Sequence, residues 1–237
     1  MSQLLFIIGI SWLAGFSAFI GSSIAQIEDT PNTEAKQEFI YGIVALGGGI
    51  LLAAVAYALT PKAIEELGIT SLTISFCLGG LIFCFLDAVI TKISGQKAQL
   101  MAMLLDFIPE AISMGAVFGQ NQNLGILLGS FIAAQNLPEG FNSYREMKHS
   151  GLSSRKIQIA LFAISFIGPI AACLGYFFLQ DNNILTASIM SFASGGILYL
   201  IFQDIAPQAK MKNHWKPPLG AILGFAIGMI AHKLLGL

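Results

Sequence analysis

The chain has 237 residues, 55% of them hydrophobic and 11% charged, whereas an average soluble domain carries roughly 25% charged residues. Twelve Lys and Arg stand against thirteen Asp and Glu, too few charges to clothe such a body in water. A soluble enzyme, a nucleic-acid binder and a disordered chain are excluded. At about 20 apolar residues per span, the length suits a polytopic helical membrane protein with no room for a soluble domain. The expectation is one all-α integral membrane domain over residues 1–237, in contact with a lipid bilayer.

Taken in chain order, polar breaks divide the apolar runs into eight predicted helices. Met1-Ser2-Gln3 offers no basic n-region, so the first run, about 3–27, reads as a retained span and not a cleaved signal. Glu28-Asp29-Thr30-Pro31-Asn32 separates it from a second span at 38–60, which Pro61-Lys62 should end. A third, 71–93, runs to Ser94-Gly95-Gln96-Lys97, and a fourth, 98–119, to Gln120-Asn121-Gln122-Asn123. The fifth, 124–147, ends at Lys148-His149-Ser150-Gly151, and the sixth, 155–179, at Gln180-Asp181-Asn182-Asn183. The seventh covers 184–206, and the eighth covers 218–236 after a connection bounded by Pro207 and Pro218. Cys77, Cys84 and Cys173 fall inside apolar runs without CxxC spacing and read as small buried hydrophobes.

Basic residues test this count. Lys36, Lys92, Lys97, Arg145, Lys148, Arg155, Lys156, Lys210, Lys212 and Lys216 flank odd-numbered connections. Only Lys62 and Lys233 lie on the other side. Such asymmetry makes the odd connections cytoplasmic and, with an even helix count, both termini extracytoplasmic. A plasma membrane or a bacterial inner membrane fits. Glycines such as Gly220, Gly224 and Gly228, spaced every fourth residue, point to close helix packing.

Five acidic residues lie where membrane helices normally carry none: Asp87, Asp106, Glu110, Glu139 and Asp204. An ionisable group at such depth is costly and faces a partner or a watery cavity. Asp106-Phe107-Ile108-Pro109-Glu110-Ala111 and Gln135-Asn136-Leu137-Pro138-Glu139-Gly140 align without a gap. Spacing of four places Asp106 and Glu110 on one helix face, and Gln135 and Glu139 on another; Asn136 edges the second. Each proline frees the carbonyl four residues back, that of Leu105 or Ala134. By helix rise, Glu110 lies roughly 18 Å from one membrane face and Glu139 roughly 22 Å from the other, so an antiparallel pair can join them. Facing carboxylates in low dielectric repel unless a cation sits between them. The alternative is a pair of protonated glutamates hydrogen-bonded across the helices.

Paired x-x-x-Pro-Glu-small motifs on helices four and five of an eight-helix chain resemble the ZIP family of zinc/iron-type metal transporters. The resemblance implies a 3+2+3 arrangement in which helices one to three and six to eight form inverted repeats. It also implies metal ligands on helices four and five and an elevator-like or rocking movement. Where that family usually reads His-Asn-x-Pro-Glu-Gly on helix four, this chain has Asp106, Phe107 and Ala111. Where helix five usually opens on His, it has Gln135-Asn136. Gly168-Pro169 replaces a Glu-Pro pair in helix six, and no histidine-rich loop follows helix three. One site is therefore expected from Asp106, Glu110, Gln135 and Glu139, with Asn136 beside it. Its donors are all oxygens, which suit Mn²⁺, Mg²⁺ or Ca²⁺ better than an imidazole set would.

The expected function is transport of a divalent cation of the zinc, iron or manganese class toward the cytoplasm. Metal is then substrate, with no organic cofactor. The alternative is a degenerate relative that binds metal as a sensor or lacks productive transport. No Walker motif and no HExxH occur, so neither ATP use nor an intramembrane hydrolase is expected. Asp204, Asp87, Ser113 and Asn142, with Met114 and Ser143, are candidate path residues. Asp204 and Asp87 also read as helix-end charges near Lys210 and Lys92, and His149 and His214 as solvated loop residues, with His232 interfacial. A homodimer is a candidate assembly.

Overall fold

The computed structural model describes residues 2–28, 33–93, 98–212 and 214–237. Among them the chain forms eight helical segments and no strand. These are α1 (Ser2–Ile27), α2 (Glu34–Glu66), α3 (Ile69–Ile93) and α4 (Ala98–Phe118). The second half holds α5 (Gln122–His149), α6 (Ser154–Leu179), α7 (Asn183–Gln208) and α8 (Leu219–Leu234). By length and composition, α1, α2, α3, α6 and α7 can each cross a membrane. This is an integral membrane protein.

Helix starts obey ordinary capping chemistry. The side chains of Thr33, Asn121 and Asn182 accept from the amides of Lys36, Leu124 and Leu185 and so open α2, α5 and α7. At the end of α5, Gly151 takes φ 90°. Its amide donates to the Lys148 carbonyl, and that of Leu152 to Met147, closing a Schellman turn at the expected break.

Prolines behave differently from the sequence expectation. Pro61 does not end α2, which runs on to Glu66. A π-helical turn at Val55–Leu59 widens the helix just before it, with the Thr60 amide donating to the Val55 carbonyl. In α7 the π turn Ile201–Ile205 does the same for Pro207, with the Ala206 amide donating to Ile201. A wide turn makes room for a ring that a regular turn would push into the preceding carbonyl. The sixth predicted helix is interrupted at Ser165 and Phe166, whose amides reach only three residues back, to Phe162 and Ala163. That tightened turn precedes Pro169. Pro109 and Pro138 lie inside uninterrupted helices. The expected break at Ser94–Lys97 lies outside the described residues.

Packing divides the helices into two sets. In the first, α1 lies along α5 and α4 along α6; in the second, α2 lies along α8 and α3 along α7. Each pairing is reciprocal and made by glycine. A Cβ on Gly21 would overlap the Leu137 carbonyl, and one on Gly140 would overlap that of Ala18. Gly115 and Gly175 abut the carbonyls of Ala172 and Ile112; Gly79 and Gly195 abut those of Phe192 and Phe76. Gly49 and Gly224 abut those of Ala221 and Leu46. Backbone meets backbone here because lipid supplies no hydrophobic drive and van der Waals contact must hold the helices. Between the sets, Gly47 and Gly228 meet only side chains, the rings of Pro138 and Phe131 among them.

The cysteines correct another expectation. Cys77 and Cys84 are exposed and Cys173 is half-buried, on surfaces where Leu81, Phe85 and Ile170 also point outward. An apolar run in lipid has no buried side to prefer, so sequence hydropathy cannot separate core from perimeter.

Candidate metal-binding site

The first set of helices carries the acidic motifs inward. Asp106 and Glu110 are buried on α4, and Gln135 and Asn136 are buried on α5, with Glu139 half-buried one turn on. The Phe107 amide donates to Asp106 Oδ1 at 2.8 Å, fixing that carboxylate one turn below Glu110. Gln135 Nε2 donates to Glu110 Oε2, joining the two helices at the motif. The carboxylates of Asp106, Glu110 and Glu139 lie close enough to repel one another.

Several acceptor atoms are left over. Glu110 Oε1, Gln135 Oε1 and Glu139 Oε2 are buried and have no hydrogen-bonding partner in the protein. A buried acceptor left unmet costs about 1–3 kcal/mol, and three at one place invite a cation. Among the described residues, no three His, Cys, Asp or Glu side chains are drawn together enough to enclose a metal ion. The donors are present but splayed.

Asp106 and Glu139 form the inner end of a cavity of about 70 Å³, whose walls include Gly47, Gly48, Asn142, Asp204 and Gln208. Val44, Asn142 and Gln208 also line a second cleft, which reaches Arg145, His149 and Lys210. The motif therefore communicates with the side on which the odd-numbered connections lie. Toward the opposite side, Met114, Phe118, Leu127, Leu128 and Phe131 are fully packed.

The remaining candidates separate cleanly. Asn142 donates to Glu146 Oε1 at 2.9 Å and to Gln208 Oε1 at 3.1 Å, at the junction of the two clefts. Asp204 lines the cavity across from Asp106 and Glu139. Asn136 Nδ2 donates to the Ala14 carbonyl of α1 at 2.9 Å, and its buried Oδ1 has no partner in the protein. Ser113 donates back to the Pro109 carbonyl at 2.8 Å, and Met114 belongs to the apolar core. Ser143 is buried with an unpartnered hydroxyl. Asp87 accepts from the Tyr199 hydroxyl at 3.1 Å, on the α3–α7 seam, and does not line the cavity. His214 is not merely solvated: its ring nitrogens lie 2.9 Å from Glu34 and 3.6 Å from Glu38. His232 lies against Tyr57, ring centroids 5.1 Å apart.

Sequence alone does not single out Gln208, Glu146, Gly47 and Gly48 as cavity residues. Gln208 follows Pro207 and reads as a helix end, while the glycine triplet reads as packing alone.

A protein-family model described as ZIP zinc transporter matches residues 98–235, which run from α4 to the end of α8. A relative, the zinc transporter GufA of Myxococcus xanthus, is 26% identical over 148 residues, 62% of this chain. The match spans 58% of that relative's length.

Proposed function

The chain belongs to the ZIP zinc transporter family, and on that premise we propose that it passes a divalent metal cation through the α4–α5 site toward the cytoplasm. The carrying observation is the set of unpartnered oxygens on Glu110, Gln135 and Glu139, of which Glu139 lines the cavity beside Asp106. Asp106 completes an all-oxygen donor set. Such a set accepts Zn²⁺ but discriminates less sharply against Mn²⁺ than imidazole ligands do.

The reciprocal glycine pairings support the inverted repeat. Exchanging α1 with α6, α2 with α7, α3 with α8 and α4 with α5 maps each close-packed pair onto another. Eight spans with the basic connections inside put both termini outside. In this arrangement the cavity opens to the cytoplasm and the packed wall faces outward. Donors that are splayed at the end of an inward-open cavity suit release of the cation. Rebinding from outside requires the α1, α4, α5, α6 set to shift against the other, past contacts such as that of Gly47 with the Pro138 ring.

Uptake into proteoliposomes tests this with Zn²⁺, Mn²⁺, Fe²⁺ and Cd²⁺. Glu110→Gln and Glu139→Gln should each lower the rate at least about tenfold, roughly 1.4 kcal/mol of lost stabilisation. Correctly inserted wild-type protein that carries none of these ions would sink the transport reading.

A further inference from the structure

A second cavity, of about 920 Å³, lies between α2, α7 and α8 on the outer surface of the molecule. Leu52, Ile201, Ile205, Ile222, Phe225 and Met229 make its apolar wall. The hollow exists because small residues face it from each helix: Ala45 and Gly49 from α2, Ala206 from α7, Ala221 and Ala226 from α8. From Pro218 to Met229 it extends along α8 for roughly 16 Å, parallel to the membrane normal.

Its mouth is of another character. Lys210, Lys212, His214 and Trp215 ring the end that lies at the odd-numbered connections. His214 is engaged with Glu34 and Glu38, and Lys216 with Glu38 at 3.5 Å. Those contacts tie the α7–α8 connection to the start of α2. Among the described residues, Lys210 and Lys212 make no ion pair. Trp215 is 87% exposed, the position of an indole anchored at headgroup level.

We propose that this groove binds one anionic glycerophospholipid, with an acyl chain between α2, α7 and α8 and its phosphate held by Lys210 and Lys212. Charge complementarity selects the occupant. Basic residues at the mouth of an apolar cleft between membrane helices attract an acidic headgroup, on the leaflet where such lipids concentrate. A zwitterionic lipid fills the groove equally well but gains little from the lysines. The binding does not rest on the transport reading. It would nonetheless bear on it, because Gly48 and Ile205 line both this groove and the cavity below Asp106 and Glu139. An acyl chain in the groove therefore presses on the reverse side of the cavity wall.

Native mass spectrometry of the full chain in detergent tests the site, using equimolar phosphatidylglycerol and phosphatidylcholine with identical acyl chains. One phosphatidylglycerol should be retained at least about fivefold more than phosphatidylcholine, as expected if each lysine contributes about what a surface lysine does near an anionic leaflet. Lys210→Ala with Lys212→Ala should abolish that preference while leaving weak retention of both lipids. Ala226→Phe, or Ile222→Trp if the first is poorly folded, should remove both. Equal retention by the unaltered protein overturns the proposal, and so does a preference that survives loss of both lysines. Displacement of the lipid by millimolar inorganic phosphate would reduce the site to a soluble-anion site. A lipid-free dimer that Ile222→Trp dissolves would assign the groove to a second copy of the chain.

Discussion

Glu110 is held at one oxygen and bare at the other. Gln135 donates to Oε2, while Oε1 has no partner, so the side chain is aimed before any cation arrives. Asp106 lines the cavity with Glu139 and Asp204, and its identity sets selectivity more than affinity. Asp106→His introduces an imidazole donor and should raise the preference for Zn²⁺ over Mn²⁺ by about tenfold in competition uptake. An unchanged ratio would place Asp106 outside the metal's reach. Asn136 is held in a like way. Its amide nitrogen serves the Ala14 carbonyl, while its Oδ1 is buried and bare. Asn136→Ala should cost about 1 kcal/mol of stability, seen as a lower melting temperature. Periodicity places Asn136 on the edge of a face; it does not say that α1 stands beside that edge.

At the scale of the helix, existence and order are legible in the sequence, and endings are less so. Polar clusters at Gln120–Asn123 and Gln180–Asn183 mark true helix junctions, because Asn121 and Asn182 cap the next helices in the chain. Pro61 and Pro207 mislead because proline ends a helix only when no other turn geometry relieves its ring. The glycines read as packing residues from their spacing, and the structure says which backbones they admit. Gly140→Ala pushes a Cβ into the Ala18 carbonyl and should lower the melting temperature by several degrees, separating α5 from α1. Gly9→Ala meets nothing within 4 Å. There the gain in helix propensity, up to about 1 kcal/mol, should leave the melting temperature equal or higher. If the two substitutions behaved alike, close backbone approach would not be what holds α1 to α5.

The molecule as a whole is asymmetric across the membrane. One face of the α4–α5 site meets a cavity through Asn142, and the other meets packed Met114, Phe131 and their neighbours. With Cys77, Cys84 and Cys173 replaced by Ser, a cysteine at Asn142 should react with a membrane-impermeant maleimide from the basic side only. A cysteine at Phe131 should react from neither side. Labelling of both from the same side would contradict the closed outer wall. The two-set division is not visible in the sequence, since glycines within a set and glycines on the seam are spaced alike. Which glycines lie against a carbonyl of a neighbouring helix is decided only by tertiary structure.

The π turns carry a last consequence. A π turn holds one residue more than an α turn would, so each adds a phase step of about 100° between the helix before it and the helix after it. In α7 that step lies between Gly195, locked to the Phe76 carbonyl, and Gln208 on the cavity wall. Excising lipid-facing Phe202 would leave the Gly195 contact intact and swing the whole downstream segment around the axis. Gln208 would leave the exit cleft without any residue there having been substituted, and Lys210 would leave the groove mouth with it. Helix azimuth, set by a single surplus residue, thus links the metal cavity and the lipid-facing surface as one adjustable register.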